Sequence, residues 1–359
     1  MKKIGTILVL ALIVTFISIP CMAQEKTFRI EILQVTDNDP FDLCYSGFIK
    51  ELESNGLIEG QNLTINKRVI PFDVEKGGLW KKMGVLMQIR KEASKIVNEK
   101  PDLVLAVGTA ATKYSKEKII AAGIPLVFTA VAIPEAAGCK SLKVAGPGFT
   151  GATLYMDIND FLKILHLAFP DKKTYGIIHT EDDNALAQIA QLNAAGQSMG
   201  LTFLTKEVHR KDSLIPAAKE LIGSGVEAFL LPIDTYYGMR NNEPCRELVE
   251  ITLAPKIPLI SMMHYPQPGA SLYVGTDFAY VGSLAAQNIV KILKEGASPD
   301  HLPVLHQDDL SIMVDVDRLK KIDLELPLQI LQLAKDSRVY YNSIHGSGQD
   351  IQDKSAAGK

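Results

Sequence analysis

The stretch that most constrains this chain is residues 100–138, KPDLVLAVGTAATKYSKEKIIAAGIPLVFTAVAIPEAAG. Leu103 to Val107 is an unbroken apolar run, as in a strand buried on both faces of a parallel sheet. Gly108 ends the strand, and Thr109-Ala110-Ala111-Thr112 opens a helix whose first turn Thr109 can cap. The small residues leave the amides of that turn reachable, and a helix start favours negative charge. Gly123 fits the left-handed position just past the helix, and Pro125 to Val131 returns as a second buried strand. In open parallel sheets, ligands sit beyond the carboxyl ends of the strands. Gly108 to Thr112 and Thr129 to Ile133 are therefore the first candidate site.

The N-terminus reads differently. Lys2 and Lys3 precede an apolar run from Ile4 to Ile19, and Pro20-Cys21-Met22-Ala23 offers a cleavage site before Gln24. Residues 1–23 are expected to be an export signal, since the run is short for a membrane span and polar sequence follows. A lipid anchor on Cys21 is the lesser alternative, because Pro20 is a poor match to the small residue such signals need. Cys44, Cys139 and Cys245 remain, an odd and widely spaced set that fits no metal site and selects no disulfide pair. Net charge is −3 with a pI of about 6.2, which gives neither a nucleic-acid footprint nor a basic membrane patch. At 359 residues the chain has core enough for two domains.

Taken in order, residues 27–35 form a strand with Ile30 and Ile32 on one face and Leu33 and Val35 on the other. Asp39-Pro40 then starts a helix that Gly56 ends. Leu63 to Val69 is a strand, 71–84 a charged, glycine-containing loop, and about 85–98 a helix. VAGPGFTG (144–151) breaks this rhythm, and a second α/β series follows to about residue 340. Its strands leave through Thr180-Glu181-Asp182-Asp183-Asn184, through Pro232 to Thr235, and through Met263-His264-Tyr265. Residues 341–359 should be a disordered tail.

Several motifs fail on context. Gly146 to Gly151 matches GxGxxG, but Pro147 intrudes and extended sequence follows, so a hinge built on Gly146, Gly148 and Gly151 is the better reading. Gly196 to Gly200 matches GxSxG but ends a helix, the reverse of a nucleophile elbow. The histidines show no zinc spacing. Asp182 and Asp183 read as helix caps. Asp234, and after it Asp277, follow buried strands and are candidates for a ligand ammonium.

GIPLVFTAVAIPEAAG (123–138), GPGFTG (146–151), LKEGASPDHLPV (293–304) and the terminal pattern from Leu319 to Val339 occur in an order that resembles one family. It is the tryptophan/tyrosine-binding-like group of ABC-transporter substrate-binding proteins. The resemblance covers about Ile30 to Val339 and departs at Ile133, where the family usually has Asp before proline. It implies an α/β protein of the type I periplasmic-binding-protein fold, with two Rossmann-like lobes, parallel sheets and a multi-strand hinge. Lobe 1 would span 27–148 with a return near 276–305, and lobe 2 would span 149–275 with a C-terminal segment near 306–340.

On this reading the chain is no enzyme and holds no cofactor or metal. It is an exported, monomeric receptor in the periplasm or its equivalent, delivering a small molecule to an ABC permease. The ligand expected is an amino acid or similar zwitterion. Lobe 1 would offer Thr36, Asp37, Asn38, Thr109, Ala110 and Val131, and lobe 2 Glu181, Asn184, Asp234, Thr235, His264 and Asp277. Helix starts near Pro40 and Thr109 would meet the carboxylate, and Asp234 or Asp277 the ammonium. The alternative is a ligand-sensing subunit for a membrane sensor kinase, which gene neighbourhood would distinguish.

Overall fold

The structure is a computed structural model that describes residues 26–71 and 79–334. The expected signal at 1–23, with Cys21, and the tail at 341–359 lie outside the described residues. The first half runs Phe28–Val35 (β1), Asp39–Ser54 (α1), Leu63–Ile70 (β2), Leu79–Glu99 (α2), Leu103–Val107 (β3), Thr109–Ala121 (α3), Leu126–Val131 (β4) and Phe149–Thr153 (β5). These strands form one parallel sheet of order β2-β1-β3-β4-β5. Ile30 and Ile32 face one core and Leu33 the other, as the alternation requires. α2 starts within the stretch read as a loop, six residues before the expected Val85. The glycine and charge of 71–84 mask that start.

The second half runs Ile158–Ala168 (α4), Thr174–His179 (β6), Asp183–Gly196 (α5), Thr202–Glu207 (β7), Ile215–Gly223 (α6), Ala228–Leu231 (β8) and Met239–Leu253 (α7). It continues with Leu259–Ser261 (β9), Leu272–Gly275 (β10), Phe278–Glu295 (α8), Ser311–Val314 (β11), Val316–Lys321 (α9) and Leu328–Leu333 (α10). The second sheet has order β11-β10-β9-β8-β6-β7, with only β11 antiparallel. α8 leaves this sheet and packs on the first one beside α1. That crossing is close because both helices present glycine. A Cβ on Gly47 would overlap the Ala279 carbonyl, and one on Gly282 the Cys44 carbonyl.

Three segments therefore join the halves: 154–157, 276–277 and 306–310, Leu305 still being bridged to Ala152 of β5. This moves the break expected at 148/149, because β5 pairs with β4 and belongs to the first sheet. Gly146, Gly148 and Gly151 consequently lie before and within β5, not in a joining segment. Gly148 has φ of +74°, and a Cβ there would sit 2.6 Å from Ile120 Cγ2. It is held by tight packing in the first half. No helix among the described residues is long and apolar enough to cross a membrane.

Candidate functional site

The strand exits of the first half bring Thr36, Asp37, Asn38, Thr109 and Ala110 to one edge of the sheet. Thr36 takes a left-handed φ of +69°, and its carbonyl accepts from Gln34 Nε2 at 2.9 Å. The α1 cap is Asn38 rather than Asp39, its side chain accepting from the Phe41 amide at 3.0 Å. Gly108, at φ +84°, occupies the cap position of α3 with no side-chain cap bond. Thr109 is therefore the first helical residue and not the cap. The Phe41 ring covers Gly108, where a Cβ would come within 3.1 Å of Phe41 Cζ. Val131 is fully buried among the residues packed on α2 and α3, so its side chain serves the core and not the cleft. Beside it, Ala130 has φ +55° and the β4–β5 register shifts, which turns the following Ala132 and Ile133 outward.

In the second half, Asp234 is 3% exposed and its carboxylate is fully used. It accepts from the Thr180 amide at 2.7 Å, the Thr180 hydroxyl at 3.0 Å and the Tyr236 amide at 2.9 Å. This corrects the expectation that Asp234 meets an ammonium: it ties the β6 exit to the β8 exit. Asp182 caps α5, accepting from the Asn184 amide at 3.0 Å, and also accepts from the Thr235 hydroxyl at 3.3 Å. Arg210 stands 3.8 Å from the same carboxylate. Burial first, and then the charge of Asp234, push the Asp182 carboxyl above its ordinary value. Glu181 is exposed at this edge.

His264 and Asp277 meet each other instead of the cleft. Their side chains lie 3.3 Å apart, and their backbones bridge. Asp277 caps α8 through the Tyr280 amide at 2.8 Å, and its own amide donates to Gln307 Oε1 at 2.9 Å. Burial raises the Asp277 carboxyl, but His264 and the helix amides outweigh it and hold the group below its usual value. The pair thus links β9, the second joining segment and the third. Next to it, the Tyr265 hydroxyl donates to Asp39 Oδ2 at 3.0 Å, bridging the two halves.

Between the two sets of exits lies a cavity of about 190 Å³. Ala132 to Glu135 form one wall, Leu154 to Met156 of the first joining segment form the back, and Asn184, Ala187, Gln188 and Gln191 of α5 form the other wall beside Ile233. The α5 residues recur at i, i+3, i+4 and i+7, one face of a helix. Gln188 Oε1 accepts from the Ile233 amide at 2.8 Å, which fixes its side chain and leaves its NH2 group for the cavity. Of the side chains assigned to the two lobes as ligand contacts the cavity takes Asn184, and from the candidate stretch Thr129 to Ile133 it takes Ala132 and Ile133. Glu135, Tyr155, Gln188 and Gln191 were not foreseen. The signal for the last two was present: polar residues at helical spacing in an alanine-rich helix that begins at a strand exit.

Among the described residues, no group of three or more His, Cys, Asp or Glu could hold a metal ion. Cys44, Cys139 and Cys245 are free and buried, with thiols pushed up to about 12 chiefly by burial.

A family model described as ABC transporter substrate binding protein matches residues 29–338. The chain is 26% identical over 307 residues to a tyrosine-binding protein of Clostridioides difficile strain R20291, covering 84% of this chain and 83% of that one. Among solved structures it is similar to the ligand-free, open structure of a substrate binding protein with adhesive properties from Clostridium difficile. That match has 25% identity and a TM-score of 0.68, covering 84% of this chain and 96% of the other. An L-Trp complex from Streptococcus pneumonia shares the fold at 21% identity and a TM-score of 0.65, covering 84% and 98%. A periplasmic ribose ABC transporter from Conexibacter woesei shares it at 13% and 0.54, covering 83% and 94%. The fold is the type I periplasmic-binding-protein fold.

Proposed function

The chain belongs to the family of ABC transporter substrate binding proteins, and from that premise we propose that it captures a small amino-acid-like zwitterion between two lobes and delivers it to a membrane importer. The observation that carries this reading is the cavity itself, walled by both halves and backed by a joining segment. A ligand there touches both lobes at once, so binding favours the closed arrangement by differential contact. Residues 27–153 with 278–305 act as one lobe and 158–275 with 311–334 as the other, turning about the three joining segments. His264, Asp277 and Gln307 act as a joint between those segments.

The cavity is smaller than the roughly 300–1,000 Å³ of drug-sized sites, which suits a single small solute. The tyrosine-binding relative supports an amino acid as that solute. Residues 1–23 act as the export signal, and the mature protein works outside the cytoplasm, where an importer takes up its cargo.

A thermal-shift panel of amino acids, sugars, nucleosides and organic acids on residues 24–359 tests the class. Mass spectrometry of any co-purifying small molecule goes with it. Stabilisation by amino acids is expected, with the aromatic ones strongest. Stabilisation by a sugar or nucleoside alone overturns the reading.

A further inference from the structure

We propose that Glu135 is the ammonium anchor of this cavity, and that the cavity recognises its ligand by the amine end rather than the carboxylate end. The proposal rests on the cavity being the ligand site. Glu135 is the one charged side chain among the described residues that line it, and no lysine, arginine or histidine joins it there.

Its carboxylate is also unengaged within the described residues. Asp157 caps α4 through the Asn159 amide at 2.8 Å, and Asp160 pairs with Lys163 at 2.7 Å. Asp182, Asp234 and Asp277 are engaged as described above. Among the described residues, no hydrogen bond or ion pair takes up the Glu135 carboxylate.

The backbone that presents it is fixed. Residues Pro134–Ala137 form a single 3-10 turn in which Pro134 and Ala137 are buried. The Gly138 amide donates to the Glu135 carbonyl at 2.9 Å and closes the turn. Lys116, the nearby cation, is committed elsewhere: it donates to the Ala137 carbonyl at 2.7 Å and lies over the Phe149 ring. Glu135 therefore stands at the cavity wall without an internal counter-charge.

The rest of the lining is neutral. Asn184, Gln188 and Gln191 supply amides, and Tyr155 a phenol kept protonated by burial and by the negative charges of Asp157, Glu135 and Asp160. A ligand carboxylate finds ordinary amide donors here, whereas a ligand ammonium finds a carboxylate and a charge-assisted bond, roughly twice as strong. The asymmetry gives the cavity its preference: a primary ammonium is required, and a carboxylate is optional.

Isothermal titration of residues 24–359 with L-tyrosine, tyramine and N-acetyl-L-tyrosine reads this directly. The amine without a carboxylate, tyramine, should bind within about tenfold of tyrosine, and the N-acetylated compound roughly thirtyfold weaker or worse. Glu135→Gln should weaken both amines by roughly thirtyfold while leaving the unliganded melting temperature unchanged, and Glu135→Asp should recover part of the loss. Tight binding of N-acetyl-L-tyrosine overturns the proposal. So does equal tyrosine affinity in wild type and Glu135→Gln, which leaves the amino-acid reading standing. Failure of the wild type to bind all three overturns both.

Discussion

The exits of β4 and β8 border the same cavity and use their acids in opposite ways. Asp234 at the β8 exit is buried and accepts hydrogen bonds from Thr180 and Tyr236. Glu135 after the β4 exit is exposed and lines the cavity with its carboxylate unengaged. Both follow buried strands, so position after a strand does not assign an acid its role. What fills its lone pairs does. A buried carboxylate must be satisfied within the protein, and once satisfied it organises the structure around it. An acid left with open valence at a cavity wall is available to a ligand.

Replacing Asp234 should break the comparison most visibly. Asp234→Ala strands the Thr180 amide and hydroxyl and the Tyr236 amide in a buried site, a loss of roughly 3 kcal/mol. For a lobe of this size that lowers the melting temperature by about 6–12 °C, measured by thermal unfolding of the unliganded protein. An unchanged melting temperature with lost affinity would return Asp234 to the ligand site.

Gln188 belongs to both sides, holding the Ile233 amide while lining the cavity. Gln188→Leu should cost about 1 kcal/mol of stability through the orphaned amide and about tenfold in ligand affinity. A stability loss with full affinity would confine Gln188 to the structural side.

The smallest effects are in pH. Asp182 and Asp277 both cap helices, yet their carboxyls are displaced in opposite directions from the ordinary 3.8. Asp182 lies above it, so its charged form costs stability at neutral pH and that cost is relieved as pH falls through the raised value. Asp277 lies below it, so its contribution is complete above pH 3.8 and is lost as pH falls through the lowered value. Urea unfolding from about pH 7 to pH 3 should show Asp182→Asn removing a gain and Asp277→Asn removing a loss. A common sign for both variants would contradict the geometry.

Much of the fold was legible because it is local. The apolar run Leu103 to Val107, Gly108 after it and Gly123 past the helix mark one α/β unit by short-range chemistry. The cap at Asp182 and the hydrophobic alternation of β1 are equally local. The site was legible only in part because it is not. Whether Asp234 is free depends on Thr180, 54 residues away, and whether His264 faces a ligand depends on Asp277. Gly146 to Gly151 resembles a flexible link, but β-pairing to β4 fixes it in the first sheet and shifts the joint to residues 154–157. Glu135 sits in PEAA, which reads as a turn, and only the opposite wall gives it a cavity to face.

The central claim is that ligand occupies the space between the β4 exit and α5, and filling that space tests it most directly. Ala187→Trp places an indole in the cavity without changing a charge or a hydrogen bond of the Asp234 cluster. Titration calorimetry with L-tyrosine should then show no binding, while the unliganded protein melts close to wild type. Tyrosine binding at wild-type affinity in Ala187→Trp would contradict the account.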